Sequence, residues 1–241
     1  MPVSRRHALQ ALGLAVAGST TMGKAWGKEA QLSQDLEACS PDGDPWTWML
    51  KRNQVFSKAW QRSIQSSNPQ ERMQIKQAIF EASCHIDPQA LAKGQRPWAA
   101  LLSCADARVA PEWMFGAGSG ELFQVRVAGN SAFNDGIASL EFAVAALEVP
   151  LIVVMGHSSC GAVAAAMGTA PLTPLLEDLV QPIRASLQPN DDLTQAIQGN
   201  ARYAAAQLVK RSPSLAEAQA SGKVRIQPAF FDIQSGVVSA V

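Results

Sequence analysis

The sequence predicts an α/β fold: a mostly parallel β-sheet flanked by helices, with an N-terminal helical arm. Three observations lead there. Apolar runs of strand length, "PWAALLSCADARV", "LFQVRVAG" and "LIVVMGH", recur along the chain. Stretches of helical period separate them, which is the alternation that builds a parallel sheet. The 241 residues carry no internal repeat, and that length suits one globular domain with a short extension.

Residues 1–25 read as an export signal peptide. Arg5 and Arg6 precede an apolar stretch from Ala8 to Ala17, and small residues follow to Ala25. That stretch is too short and too weakly apolar for a good membrane span, so the mature chain is expected to hold no stable span. The arginine pair points to the twin-arginine route, which carries folded cargo; the alternative is a basic amphipathic helix. The expected location is the periplasm, or the thylakoid lumen if the source has one. Residues 26–44 show no period and read as a flexible leader. Residues 45–241 make the single domain.

That domain opens with the helical arm, "PWTWMLKRNQVFSKAWQRSIQSS" followed by "NPQERMQIKQAIFEAS". Trp48, Val55 and Trp60 are expected on its apolar faces, and Asn68-Pro69 marks the start of the second helix. Two strands follow, then the helix "NDGIASLEFAVAALEV", with Ile137, Leu140, Phe142, Val144 and Leu147 inward. The third strand "LIVVMGH" leads through a turn at Gly161 into the helix "AVAAAM". "DDLTQAIQGNARYAAAQLVKRS" is a further helix, and "VRIQPAFFDIQSGVV" a closing strand in which Pro228 suggests an edge.

Composition narrows the function. The chain is 47% hydrophobic and 17% charged with no formal net charge. Loss of Arg5, Arg6 and Lys24 with the signal leaves 17 basic against 20 acidic residues. There is no basic excess for a nucleic-acid partner, and a single tyrosine argues against a base-stacking platform. Four cysteines in an exported protein would ordinarily mean two disulfides. Cys84 reads as a small buried residue, with a bridge to Cys39 left open, and His85 reads as structural.

The chemistry gathers at "LIVVMGHSSCGAV". His157 and Cys160 offer two metal-type ligands at the end of an apolar strand, and Cys104 offers a third at the end of another. In parallel sheets ligands bind beyond the carboxyl ends of the strands, so all three belong to one crevice. A Cys2His set suits zinc with one position left open; the plainer alternative is a buried apolar cysteine and an ordinary loop histidine. Asp106 and Arg108 stand two and four residues beyond Cys104. A carboxylate there either becomes a fourth ligand or, held by a bidentate arginine, orients a metal-bound water.

Two rival readings fail. The glycines of "GHSSCGAV" resemble a phosphate loop, but Ala162-Val163 stands where Lys-Ser/Thr is required. Cys160 as a nucleophile would need a histidine base, and His157 lies three residues away in the same turn.

Together "CADARV", "GHSSCGAV", "GELFQVRVAGN", "SLEFAVAALEVPLIVV" and "FFDIQSGVV" resemble the β-class carbonic anhydrases over residues 70–241. The resemblance implies one Zn2+ per chain on Cys104, His157 and Cys160, with Asp106 and Arg108 as the catalytic dyad and Asp106 a fourth ligand in a closed state. It implies Gln95 as a substrate-orienting glutamine, Phe123 as an apolar wall of the carbon dioxide pocket, and Gly161 as a backbone N–H donor. It implies a homodimer or higher homo-oligomer, with Gln95 and Phe123 serving a neighbouring subunit. The sequence departs from the family pattern at Ala105, Ala107, Val127 and Phe142, none of them a proposed ligand or dyad residue. Leu101, where the bicarbonate-inhibited subtype often has tryptophan, leans to the open-site subtype. The expected reaction is reversible hydration of carbon dioxide to bicarbonate and a proton. The alternatives are a carbonyl sulfide or carbon disulfide hydrolase, or a catalytically silent zinc or bicarbonate binder.

Overall fold

The computed structural model describes residues 39–81, 83–84 and 86–241. The expected signal peptide, most of the leader and His85 lie outside the described residues. Helix α1 (Pro45–Gln65) begins with Asp44 accepting the Thr47 N–H and Pro45 in the first turn, a pairing that fixes a helix start. Its buried stripe is Trp46, Met49, Asn53, Phe56 and Ser57, at helical spacing. Trp48 and Trp60 are half-buried beside that stripe, whereas Val55 is 57% exposed, correcting its expected inward place. The reason is angular: Val55 lies next to Phe56 in sequence and so about 100° from it around the helix. Helix α2 (Pro69–Glu81) starts where Asn68-Pro69 predicts, with Asn68 accepting from Gln70 N–H.

A short turn of helix, α3 (Pro88–Leu91), leads to strand β1 (Ala99–Ser103). Then come α4 (Pro111–Met114), β2 (Leu122–Arg126), α5 (Asn134–Ala146) and β3 (Leu151–His157). Helices α6 (Gly161–Met167), α7 (Pro174–Arg184), α8 (Leu193–Arg211) and α9 (Pro213–Ala220) follow. The chain closes with β4 (Arg225–Asp232) and β5 (Val237–Ala240). Helices α7 and α9 escape the sequence reading, although Thr173-Pro174 and Ser212-Pro213 are cap-plus-proline starts.

The sheet order is β2-β1-β3-β4-β5, parallel except for the β4–β5 pair. The single closing strand expected from sequence is therefore a hairpin. Asp232 causes the break by accepting the amides of Gln234 and Ser235, which folds residues 233–236 into a turn. Pro228 sits inside the sheet rather than at its edge, paired with Val154. Its carbonyl accepts from Val241 N–H, so the missing N–H falls just past the end of β5, where the ladder is already running out.

Alternation along β1 sends Ala99 and Leu101 to one face and Ala100 and Leu102 to the other. The first pair packs with Trp46, Met49, Phe56 and Phe115; the second with Ile137, Leu140, Ala204 and Leu208. In α5 the buried positions are Gly136, Ile137, Leu140 and Ala143, and Phe142 is 52% exposed, another correction to the expected apolar side. The arm is bolted to the sheet by polar contacts. Asn53 donates to Gly236 O at 3.0 Å and accepts from Val238 N–H at 2.8 Å. Arg52 pairs with the buried carboxylate of Glu121 at 2.7 Å, and the Trp98 indole N–H donates to the same oxygen. Ahead of α1, Cys39 is bridged to Cys84, Cα to Cα 5.7 Å, closing the option that sequence left open. Cys84 is a bridge residue, not the small buried thiol that sequence suggested. Among the described residues, no helix is long and apolar enough to cross a membrane.

Candidate metal centre

In the order β2-β1-β3 the chain leaves β1 first to one side and later to the other, so the carboxyl ends of β1 and β3 flank a topological switch point. Such a point is where open α/β sheets bind ligands. Strand β1 stops at Ser103, and Cys104 is the first residue of the loop beyond it. Strand β3 ends on His157, and Cys160 is the N-cap residue of α6. The ligand atoms of Cys104, His157 and Cys160 all lie within 4.8 Å of one another, and all three residues are buried. Both cysteines are free, with their sulfurs 4.0 Å apart.

Three observations test whether this set fits a metal. The Nδ1 of His157 faces the Ser158 carbonyl at 3.0 Å. A carbonyl only accepts, so the proton belongs on Nδ1 and Nε2 presents its lone pair. That Nε2 is buried and has no hydrogen-bond partner, which in an interior calls for a ligand. One of the two sulfurs is also poised as a thiolate. The hydrogen bond from the Cys160 thiol, helped by the amide of Gly129 at 3.3 Å, holds Cys104 far below the ordinary thiol value, at about 4. Cys160 is pushed up by the same sharing with Cys104 and then by burial, while the amides of Val163 and Ala162 at the start of α6 oppose the shift. Two sulfurs competing for one negative charge are what a divalent cation relieves, and the donor set is soft enough for zinc.

Gly129 holds its amide on Cys104 with φ +77°, and a Cβ there would come within 2.5 Å of Ile183 Cδ1 and 3.1 Å of the Ala162 methyl. Only glycine meets both demands.

Asp106 and Arg108 form the bidentate pair expected from sequence. Arg108 Nε donates to Oδ1 at 2.9 Å and Nη2 to Oδ2 at 2.7 Å, while the Arg108 backbone N–H adds a second bond to Oδ1. Arg108 Nη2 also donates to the Ser159 carbonyl at 3.1 Å, tying the dyad to the His157–Cys160 turn. These bonds hold the Asp106 carboxyl well below the usual carboxylate range. Its Oδ2 lies 3.8 Å from His157 Nε2, so the dyad stands at the mouth of the ligand cluster.

The remaining expected residues are more dispersed. Gly161 opens α6 with open space where a side chain would be. Phe123 is half-buried on edge strand β2, its ring 6.4 Å from that of Phe142. Gln95 is exposed on the segment between α3 and β1. Motif reading also passes over Arg126 at the end of β2. Its sequence cue is a charge in the otherwise uncharged strand Leu122–Arg126.

The comparisons with known proteins agree with this geometry. The carbonic anhydrase family model matches residues 99–238. Carbonic anhydrase 2 of Mycobacterium tuberculosis is 38% identical over 156 residues, covering 61% of this chain and 75% of that protein. A carbonic anhydrase of Pseudomonas aeruginosa is 34% identical over 169 residues, covering 64% and 77%. Among solved structures, a tetrameric β-carbonic anhydrase of Sordaria macrospora superposes with a TM-score of 0.58 at 25% identity, over 64% of this chain and 84% of that one. The β-carbonic anhydrase CafA of Aspergillus fumigatus gives 0.57 at 26% identity, over 70% and 84%. With its family match spanning more than half the chain, a β-class fold and a Cys2His cluster at the switch point, this protein belongs to the carbonic anhydrase family.

Proposed function

We propose that the protein catalyses the reversible hydration of carbon dioxide to bicarbonate and a proton, with zinc held by Cys104, His157 and Cys160 and with Asp106–Arg108 as its catalytic dyad. One observation carries this reading: the Arg108 fork closes on both Asp106 oxygens beside three converging ligand atoms. A bare structural zinc site has no use for that pair. Zinc bound there supplies a Lewis acid that makes water a nucleophile near neutral pH, carbonic anhydrases being the reference example.

The chain's own residues do the rest. Asp106 is kept ionised by Arg108, so it accepts a hydrogen bond from the attacking water and aims the oxygen lone pair at the substrate carbon. Since Arg108 engages both carboxylate oxygens, Asp106 is held as a hydrogen-bond acceptor and would not be released to serve as a further ligand. Carbon dioxide rests against a Phe123 supplied by a neighbouring subunit, and the Gly161 N–H with that subunit's Gln95 stabilises the negative charge that develops on its oxygens. The proton released leaves to external buffer.

The likeness to relatives named as carbonic anhydrases favours carbon dioxide over its sulfur analogues. The test is a buffered stopped-flow hydration assay on zinc-quantified protein near pH 8.5. Fast hydration with one zinc per chain supports the proposal; full zinc without hydration defeats it and turns attention to carbonyl sulfide and carbon disulfide.

The Cys39–Cys84 bridge supports export to an oxidising compartment, where such bridges persist. Cell fractionation of the wild type and of an Arg5→Lys/Arg6→Lys variant tests the twin-arginine route; unchanged export of the variant rejects it. A homo-oligomer is the expected assembly, as for the tetrameric Sordaria enzyme, and light scattering decides its size.

A further inference from the structure

We infer that Arg126 is a positioning residue for the metal centre: it clamps the Cys104–Val109 loop by its backbone carbonyls and so sets the dyad against the ligands. The inference rests on the proposed reading of that loop. Arg126 ends β2 and pairs in register with Ser103, the last residue of β1. Its side chain reaches across to the loop that begins at the next residue. There Nε donates to Cys104 O at 3.1 Å, and Nη2 donates to Cys104 O at 2.9 Å, Asp106 O at 2.9 Å and Val109 O at 2.7 Å. One guanidinium therefore gathers three carbonyls from a six-residue loop.

The loop needs such a tie. Beyond Ser103 it leaves the parallel ladder; its backbone-to-backbone bonds there are Ala105 N–H on Val127 O and the turn bond from Val109 N–H to Asp106 O, and its other ties run through the side chains of Cys104, Asp106 and Arg108. The ligand Cys104 and the dyad residues Asp106 and Arg108 all ride on it. The carbonyls of Cys104 and Asp106 are fixed by Arg126 from one side, while their side chains address the metal crevice on the other. A guanidinium suits the task because its planar fork offers several N–H donors at fixed angles. A lysine offers a point charge without the Nε contact, and a methionine fills the volume with no donor. Among the described residues the Arg126 guanidinium bonds to the backbone carbonyls of Cys104, Asp106 and Val109 and not to their side chains, so it acts through the loop rather than on substrate.

The experiment compares wild type, Arg126→Lys and Arg126→Met as full-length mature protein. Amide hydrogen exchange is read first, since it requires neither zinc turnover nor substrate. The expected result is faster exchange at Ala105, Arg108 and Val109 in Arg126→Met, with the β3 amides unchanged and Arg126→Lys intermediate. Zinc content and hydration kinetics follow. A misplaced dyad is expected to lower kcat on the order of 100-fold, with KM little changed and zinc retained. Added guanidinium ion is expected to restore part of the kcat lost in a truncated Arg126→Ala variant, where the space is left open, and none in an Asp106→Asn variant. Unchanged exchange in the loop, or full kcat in Arg126→Met, overturns the clamp. Should Arg126→Met not fold, Arg126→Lys with wild-type loop exchange and kcat overturns it equally. A wild type that binds zinc but hydrates nothing would defeat the functional reading alone, with the clamp still decided by exchange.

Discussion

The four cysteines form two pairs with opposite fates. Cys104 and Cys160 face each other at 4.0 Å, both buried, and stay free beside the unpartnered Nε2 of His157. Cys39 and Cys84 flank the helical arm in the chain and are joined. The surroundings explain the difference. Around the crevice pair stand amides of Gly129 and α6, which favour a thiolate, and a histidine lone pair and an arginine-held carboxylate, which favour a cation. Around the bridged pair are Ile86, Ala90 and Leu91, which offer nothing to a thiolate or a metal. One pair is built for chemistry and the other closes a loop around the arm.

The largest break of this contrast is Cys160→Ser. It removes one of three ligands, so zinc and hydration activity are both expected to vanish. Stoichiometric zinc by elemental analysis would take Cys160 out of the ligand set. Next comes the double change Cys39→Ser/Cys84→Ser. For a separation of 45 residues the chain-entropy view gives a loss of about 4 kcal/mol of stability. Denaturant unfolding should register that loss while zinc content per folded chain stays at the wild-type value. Zinc lost in step with the bridge would mean that the two pairs are not independent.

Asp106→Asn sharpens the comparison within the crevice. It spares both cysteine pairs and alters the group that orients the attacking water. Zinc is expected to stay, with kcat down on the order of 100-fold, about 2.7 kcal/mol. Retained turnover in the metal-loaded variant would remove the dyad role.

The smallest effect separates the bridge from the helix start it precedes. Asp44→Ala loses the cap on Thr47 N–H and is expected to cost about 1 kcal/mol at pH 7. The Thr47 hydroxyl and amide hold the Asp44 carboxyl below its ordinary value of 3.8. Its stabilisation is therefore complete above that value and fades as pH falls through the lower folded one. Stability curves of wild type and variant should converge in acid; a constant gap down to pH 2 would deny the cap.

How much of this was legible beforehand depends on the range of the interaction. Cys104 and His157 are 53 positions apart, yet each ends an apolar run, and the rule for parallel sheets brings such ends together. The Asp106–Arg108 pair is local and readable for the same reason. Val55 and Phe142 were misplaced because a helix turns 100° per residue, and composition does not say which flank meets the sheet. Pro228 suggested an edge, because only pairing reveals that its missing N–H falls where β5 is already ending.

By itself, then, the sequence determined the α/β alternation and singled out the Cys104, His157 and Cys160 cluster and the Asp106–Arg108 pair, each written in residues adjacent in the chain or in strand ends. Only the tertiary structure decided that Cys39 meets Cys84, that the last strand folds into a hairpin, and that Arg126 grips the dyad loop. Those depend on which segments lie side by side after folding, and Arg126 binds backbone carbonyls, a kind of partner that leaves no mark on residue type.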